Sequence, residues 1–345
     1  MKAVVLEKPG ALVYKDVDTP QPGSGEALLK VKAVSICGSD ILRVYHGAAK
    51  TYPLILGHEC AGEVTAVGRD VDEGWVGRQA CVVPLIPCMR CTACRQQIYS
   101  ACRTYSFIGS RVSGGFAEYV KLPVGSLIPL PGEIDCEVGA LIEPGSVALY
   151  SLERGEIKPG QRIAILGVGS IGLFIVQWAR AKEAGHINAT DIVDERLQAA
   201  KSMCAPTTLN PARTDVAAEV RRITGDGVDI ALEVSGSPKA LEQAILMTRP
   251  RGRIVCVGNQ PENATLPLSL IEHIMRQELE VRGVWMSYTA PFPGHTWTDT
   301  IAAAQRGNLE LDKMISHRFS LAEVPDIFRR IHAGSLSYRK IIILP

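Results

Sequence analysis

Residues 162–172 read Arg-Ile-Ala-Ile-Leu-Gly-Val-Gly-Ser-Ile-Gly, and the chain continues LFIVQWARAKEAG to residue 185. A continuous apolar run that ends in glycine has the pattern of a buried strand, and the residues after it carry apolar side chains at helical spacing. Gly167, Gly169 and Gly172 therefore stand where a strand gives way to a helix. With no Cβ in the way, amides at the helix N-terminus, those of Ser170 and Ile171 among them, can face a pyrophosphate. The next strand-like run, HINATDIVD (186–194), contains Asp191, whose carboxylate can accept hydrogen bonds from both hydroxyls of a ribose and would repel a 2′-phosphate. NAD is thereby favoured over NADP. Arg196, one turn further on, is placed to pack beside an adenine or to soften that exclusion.

Working outward, the alternation continues through VDIALEVSG (228–236), SPKALEQAILMTRP (237–250) and GRIVCVGN (252–259). Strands alternating with helices predict an α/β fold, a doubly wound, mostly parallel sheet over roughly 147–285. Upstream the texture differs. Runs such as Ala27 to Val34 and Gly62 to Val67 alternate in the manner of strands and are broken by proline and glycine, which predicts a β-rich domain up to about residue 146. A length of 345 residues suits two domains, and 46% hydrophobic residues can supply a core to each. Lys and Arg number 37 against 36 Asp and Glu, with no long run of one sign, so neither nucleic acid nor a membrane surface is an expected partner. The opening MKAVVLEKPG lacks the apolar core of an export signal, and no stretch has the length of a membrane span, so a cytoplasmic location is expected.

Ten cysteines in such a chain are read as thiols and metal ligands rather than disulfides. Four of them, Cys88, Cys91, Cys94 and Cys102, fall within one short segment, which is enough to close a tetrahedral zinc site from a single loop. Thiolate sets of this kind also hold iron–sulfur clusters, and buried free cysteines are the plain alternative. With every position filled by protein, zinc here would be architectural. A second set of ligand types is dispersed: Cys37 in SICGSD, His58 and Glu59 in GHE, and Glu143 in LIEPG. Taken singly each is weak, since a lone histidine is more often structural and a buried cysteine often just a small hydrophobe.

The run Gly57-His58-Glu59-x2-Gly62-x5-Gly68-x2-Val71 matches the zinc alcohol dehydrogenase signature along its whole length. With the four-cysteine loop and the nucleotide fingerprint in the same order and spacing, the chain resembles the zinc-containing medium-chain dehydrogenases from end to end. Stretches 84–119, 141–147 and 283–297 resemble the branch that oxidises polyols and their phosphate esters. The resemblance implies a GroES-like catalytic domain, 1–146 with 286–345, and a Rossmann domain, 147–285. It implies that Cys37, His58 and Glu143 ligate a catalytic zinc, with Glu59 ligating it or lying close behind. Asp40 matches the carboxylate that orients the zinc-bound histidine, and Ser39 the hydroxyl that takes the substrate proton.

The activity implied is oxidation of a polyol secondary alcohol to a ketone, with hydride passing to NAD. A phosphorylated polyol is the first expectation; sorbitol, L-iditol or threonine are the alternatives. Arg111, Arg43 and Lys50 are candidates to hold a phosphate. The relay histidine of the alcohol dehydrogenases is replaced here by Leu42, which leaves the proton route beyond Ser39 unassigned, and His46 lies nearby in sequence. Tyr150 stands where polyol dehydrogenases often have histidine. The family's habit of pairing sheet edges between subunits implies a homodimer, with a tetramer possible.

Overall fold

Residues Arg162–Leu166 form the first of six parallel strands, joined by His186–Thr190, Thr207–Leu209, Val228–Glu233, Thr248–Cys256 and Glu280–Gly283 in the computed structural model, which describes residues 1–259 and 264–345. Counted along the chain, they lie across the sheet in the order third, second, first, fourth, fifth, sixth. This is the Rossmann arrangement, whose order reverses between the first and fourth strands. Helices Ser170–Ala181, Asp194–Ser202, Val216–Thr224, Pro238–Met247 and Leu268–Arg276 make the crossovers that parallel pairing requires. Ile163, Ala164, Ile165 and Leu166 are all fully buried, as befits a strand covered on both faces.

Two ends differ from the sequence pattern. The helix after Gly169 stops at Ala181 rather than near residue 185, because Glu183 takes a left-handed φ of 57° and Gly185 turns its amide back to Gln161 O. The second strand stops at Thr190, because the Asp191 carboxylate accepts the Val193 amide at 3.0 Å and bends the chain into an Asx turn.

This sheet belongs to a compact unit of residues Pro144–Ser287 and Arg306–Leu309. The other unit comprises Met1–Glu143, Tyr288–Gln305 and Glu310–Pro345. The change of unit at Glu143 lies in the first turn of helix Ile142–Arg154, and the carbonyl of Asn308 accepts from Arg180 Nη2 at 3.4 Å.

In the first unit, strand Glu26–Ser35 is the hub of a seven-stranded sheet, with antiparallel partners Glu59–Val67, Tyr119–Pro123 and Lys340–Leu344. Ile342 lies opposite Ser35 and Ile343 opposite Val34, so the last strand of the chain is built into the N-terminal sheet. Val31 lies opposite Gly62, where the backbones come so close that a Cβ would sit 2.0 Å from Lys30 O. That contact is the physical basis for one glycine of the signature. Leu29, Val34, Phe116, Phe328, Ile341 and Ile343 are core residues of this unit, with Phe116 edge-on to Phe328 at 5.8 Å. Among the described residues no helix is long and apolar enough to cross a membrane.

Candidate active site and metal centres

The hub strand ends at Ser35, and two residues on, Cys37 caps the eight-residue helix Gly38–Tyr45. Its amide donates to Asp40 Oδ2 at 3.2 Å, so the cap turn places thiol and carboxylate side by side. His58 sits just before strand Glu59–Val67, its ring edge-on to Phe107 at 5.6 Å. Register does the rest: Ser35 lies opposite Glu59, which brings the GHE segment against the SICGSD segment. Ligand atoms of Cys37, His58 and Glu59 consequently lie within 4.8 Å of one another. Glu143 lies outside that set of three, yet close enough for its charge to be felt with those of His58, Glu59, Lys340 and Asp40.

Each charge in this cluster is answered by another. Burial pulls the His58 imidazole down, but Asp40 and Cys37 overcome it and hold it well above its ordinary range. Burial pushes Asp40 up, and His58, Arg43 and the Cys37 amide more than reverse that. Glu143 is pushed up to about 7, by burial first and then by Glu59 and Asp40, against the pull of His58 and Lys340. The cluster sets the Cys37 thiol and the carboxyls of Asp40, Glu59 and Glu143 beside His58, Arg43 and Lys340. His58 Nδ1 is buried and faces Asp40 Oδ1 at 3.4 Å, a carboxylate–histidine pair of the kind that orients a metal ligand. One thiolate, one imidazole and a carboxylate fit zinc with a place left open for substrate.

Ser39, in the first turn of the helix, donates to Cys37 Sγ at 3.3 Å and accepts from Arg43 Nη1 at 2.8 Å. Leu42 and His46 are exposed, and His46 lies edge-on to His332 at 6.1 Å. Of the phosphate candidates, Arg43 points inward to Ser39, Asp40 and Ser110, Arg111 lies 4.0 Å over the Tyr105 ring, and Lys50 is exposed. Sequence reasoning missed Lys340. It is 1% exposed, pairs with Glu59 and donates to Ile36 O at 3.3 Å. The signal available was a single lysine heading the apolar run KIIIL, since a lysine within a buried strand requires a buried anion.

The sulfurs of Cys88, Cys91, Cys94 and Cys102 also lie within 4.8 Å of one another, and none is in a disulfide. Cys88 Sγ and Cys94 Sγ are 3.9 Å apart, while the edge of a zinc–thiolate tetrahedron is about 3.8 Å. Amides point at the sulfurs: Cys91 N to Cys88 Sγ at 3.4 Å and Cys88 N to Cys102 Sγ at 3.3 Å. Hydrogen bonds from Thr104 and from the Arg90 and Cys91 amides draw Cys88 down to about 5, whereas burial pushes Cys94 to about 12. The loop fits zinc by number, spacing and donor type.

In the second unit the nucleotide fingerprint forms one connected turn. Gly167 has φ +95°, and a Cβ there would meet Ser235 N at 2.8 Å. Gly169 caps the helix that begins at Ser170, and Ile171 lies in its first turn. A Cβ on Gly172 would lie 2.2 Å from Gly167 O, the close strand-to-helix approach that the third glycine permits. Asp191 is 7% exposed, accepts the Val168 amide at 3.0 Å and lies 3.7 Å from Arg196 Nη1. Glu233, which the sequence reading passed over, ends the fourth strand and accepts from the Ser235 and Gly236 amides at 2.8 and 2.9 Å.

A nucleotide-type sheet joined in one chain to a β-rich unit bearing a zinc donor set defines a metal-dependent oxidoreductase. Residues 23–132 match the alcohol dehydrogenase GroES-like domain and residues 170–305 the zinc-binding dehydrogenase domain, and the chain belongs to the zinc-containing medium-chain alcohol and polyol dehydrogenases. Galactitol 1-phosphate 5-dehydrogenase of Escherichia coli K12 is 33% identical over the full length of both chains. The crystal structure of galactitol-1-phosphate dehydrogenase from Escherichia coli superposes with a TM-score of 0.95 at 33% identity, again over all of both chains. Sorbitol dehydrogenase of Bacillus subtilis is 34% identical over 100% of this chain and 97% of its own. A zinc-binding dehydrogenase of Sinorhizobium meliloti, solved bound to NADP, has a TM-score of 0.92 at 31% identity, covering 100% of this chain and 99% of its own.

Proposed function

We propose that the protein oxidises a secondary hydroxyl of a polyol to a ketone with NAD, foremost galactitol 1-phosphate to tagatose 6-phosphate. The observation that carries this reading is the gathering of Cys37, His58 and Glu59 beside Ser39, in a chain similar over its whole length to a dehydrogenase of that polyol phosphate. The similarity to a sorbitol dehydrogenase favours, as a second reading, a polyol without phosphate.

Cys37, His58 and a carboxylate, that of Glu59 or of Glu143, would hold the catalytic zinc, and Cys88, Cys91, Cys94 and Cys102 a structural one. Zinc, when bound, makes a nearby hydroxyl more acidic, and NAD accepts the hydride. The chain supplies the rest. Ser39 Oγ has one acceptor position beyond its contact with Arg43, where it accepts a hydrogen bond from the substrate hydroxyl, whose proton leaves to solvent. Asp40 fixes the tautomer of His58. Asp191 orients the adenosine ribose, with Gly167, Gly169, Ser170, Ile171 and Gly172 leaving room for the pyrophosphate and Arg196 flanking it. The alcohol loses one proton and one hydride, yielding ketone and NADH.

The subunits are proposed to pair as homodimers through the sixth strand, Glu280–Gly283, which has a sheet partner on one side only among the described residues. Val281 on it and Trp285 beyond it are 52% and 54% exposed. Leu268, Ile271 and Met275 lie on one side of the preceding helix and are exposed as well.

Elemental analysis of zinc, run beside NAD reduction with galactitol 1-phosphate, galactitol and sorbitol, tests the proposal. Turnover with the phosphate ester is the expected result. Turnover with plain polyols alone would discard the phosphate, and none with any of the three would overturn the polyol reading.

A further inference from the structure

We infer that Arg43 is a positioning residue for the substrate hydroxyl, a clamp that sets Ser39 and Asp40 together where the family's relay histidine is lacking; this rests on the polyol-oxidising reading. Arg43 lies four residues after Ser39 and three after Asp40, on the same side of helix Gly38–Tyr45. Its Nη1 donates to Ser39 Oγ at 2.8 Å and to Asp40 Oδ1 at 2.9 Å, and its Nε donates to Ser110 Oγ at 3.2 Å. The side chain is 13% exposed, so these bonds are sheltered from water.

A guanidinium has five donors, no acceptor, and keeps its proton, so Arg43 does not relay protons. What it does is fix the roles of Ser39. The hydroxyl has one hydrogen and two acceptor positions; the hydrogen points to Cys37 Sγ and Arg43 fills one acceptor position. The remaining one is held in a single orientation for the substrate hydroxyl. The same nitrogen holds Asp40 Oδ1, the oxygen that faces His58 Nδ1 at 3.4 Å. Through Ser110, the clamp also ties the helix to the loop after strand Ser106–Phe107, whose Phe107 packs on the His58 ring. Facing inward, Arg43 spends three of its five donors on Ser39, Asp40 and Ser110. A lysine in its place keeps the charge but loses the fixed fork.

The test compares Arg43→Lys and Arg43→Ala with the wild-type full-length chain in two assays: zinc release to a chromogenic chelator, and polyol oxidation with and without added guanidinium ion. In Arg43→Ala we expect kcat to fall about 10–100-fold with KM for the polyol within about threefold. We also expect faster zinc release, and partial recovery of kcat on adding guanidinium but not ammonium. An unchanged kcat, or a loss confined to KM for the phosphorylated substrate, would overturn the inference, the latter making Arg43 a phosphate ligand. If the wild type oxidises no polyol, the functional reading fails by itself, and zinc release still decides on the clamp: a wild-type rate in Arg43→Ala sinks it. Should Arg43→Ala not fold, as judged by circular dichroism, Arg43→Lys carries the same comparisons.

Discussion

Lys340 and Asp191 show how much single residues carry here. Lys340 is buried with Glu59, and burial alone would depress its amine; Glu59 and Cys37 more than reverse that and keep it charged. Replacing it by methionine leaves the Glu59 carboxylate buried without its cation, so Lys340→Met is expected to lose about 3–5 kcal/mol of unfolding free energy in urea titrations. The variant Lys340→Met/Glu59→Leu should recover most of that loss. Asp191 acts on the cofactor rather than on stability. Its charge argues against a 2′-phosphate, although Arg196 stands 3.7 Å away. Asp191→Asn keeps an acceptor for the Val168 amide and removes the charge, so the ratio of kcat/KM for NAD over NADP is expected to fall about 10–100-fold. An unchanged ratio would place cofactor choice elsewhere.

At the scale of elements, Asp229 joins three strands of the parallel sheet. From the fourth strand it accepts the Arg162 amide of the first at 2.7 Å and Arg249 Nε of the fifth at 2.6 Å. Burial pushes this carboxyl up, yet Arg249 and Arg162 together bring it below the usual 3.8. A group depressed on folding stabilises the chain above its unfolded value and loses that contribution as pH falls through the folded one. Asp229→Asn should therefore cost about 1–3 kcal/mol at neutral pH, with the difference from wild type shrinking as the pH of denaturant melts is lowered below about 4. The four-cysteine loop has only short elements, the helix Thr92–Arg95 and the turn Tyr99–Ala101, to hold it. Cys94→Ser is expected to lower zinc by about one ion per chain and to make residues 88–102 the first site of limited proteolysis. A loop of wild-type protease resistance would refute its dependence on metal.

For the whole molecule, the exposed edge strand and the apolar side chains before and after it are what an association surface offers. Val281→Asp should shift the sedimentation profile from dimer to monomer; a wild-type profile would move the interface elsewhere. The sequence by itself determined the features whose parts are neighbours along the chain. The glycine turn from Gly167 to Gly172, the four-cysteine loop and the alternation of strand and helix after residue 162 are local, and their chemistry follows from spacing. Asp40 and Ser39, three and two residues after Cys37, were named through the family resemblance of their segment rather than from spacing. Only the tertiary structure decided the rest. Cys37 and Glu59 come together because Ser35 and Glu59 share a register, and Lys340 joins them because the final strand pairs with the hub strand some three hundred residues earlier. Arg43 reads as a candidate to hold a phosphate until Ser110, from a distant loop, is seen to hold its inner edge. Pairing between remote strands is set by which faces can be buried together, and no local pattern encodes that choice.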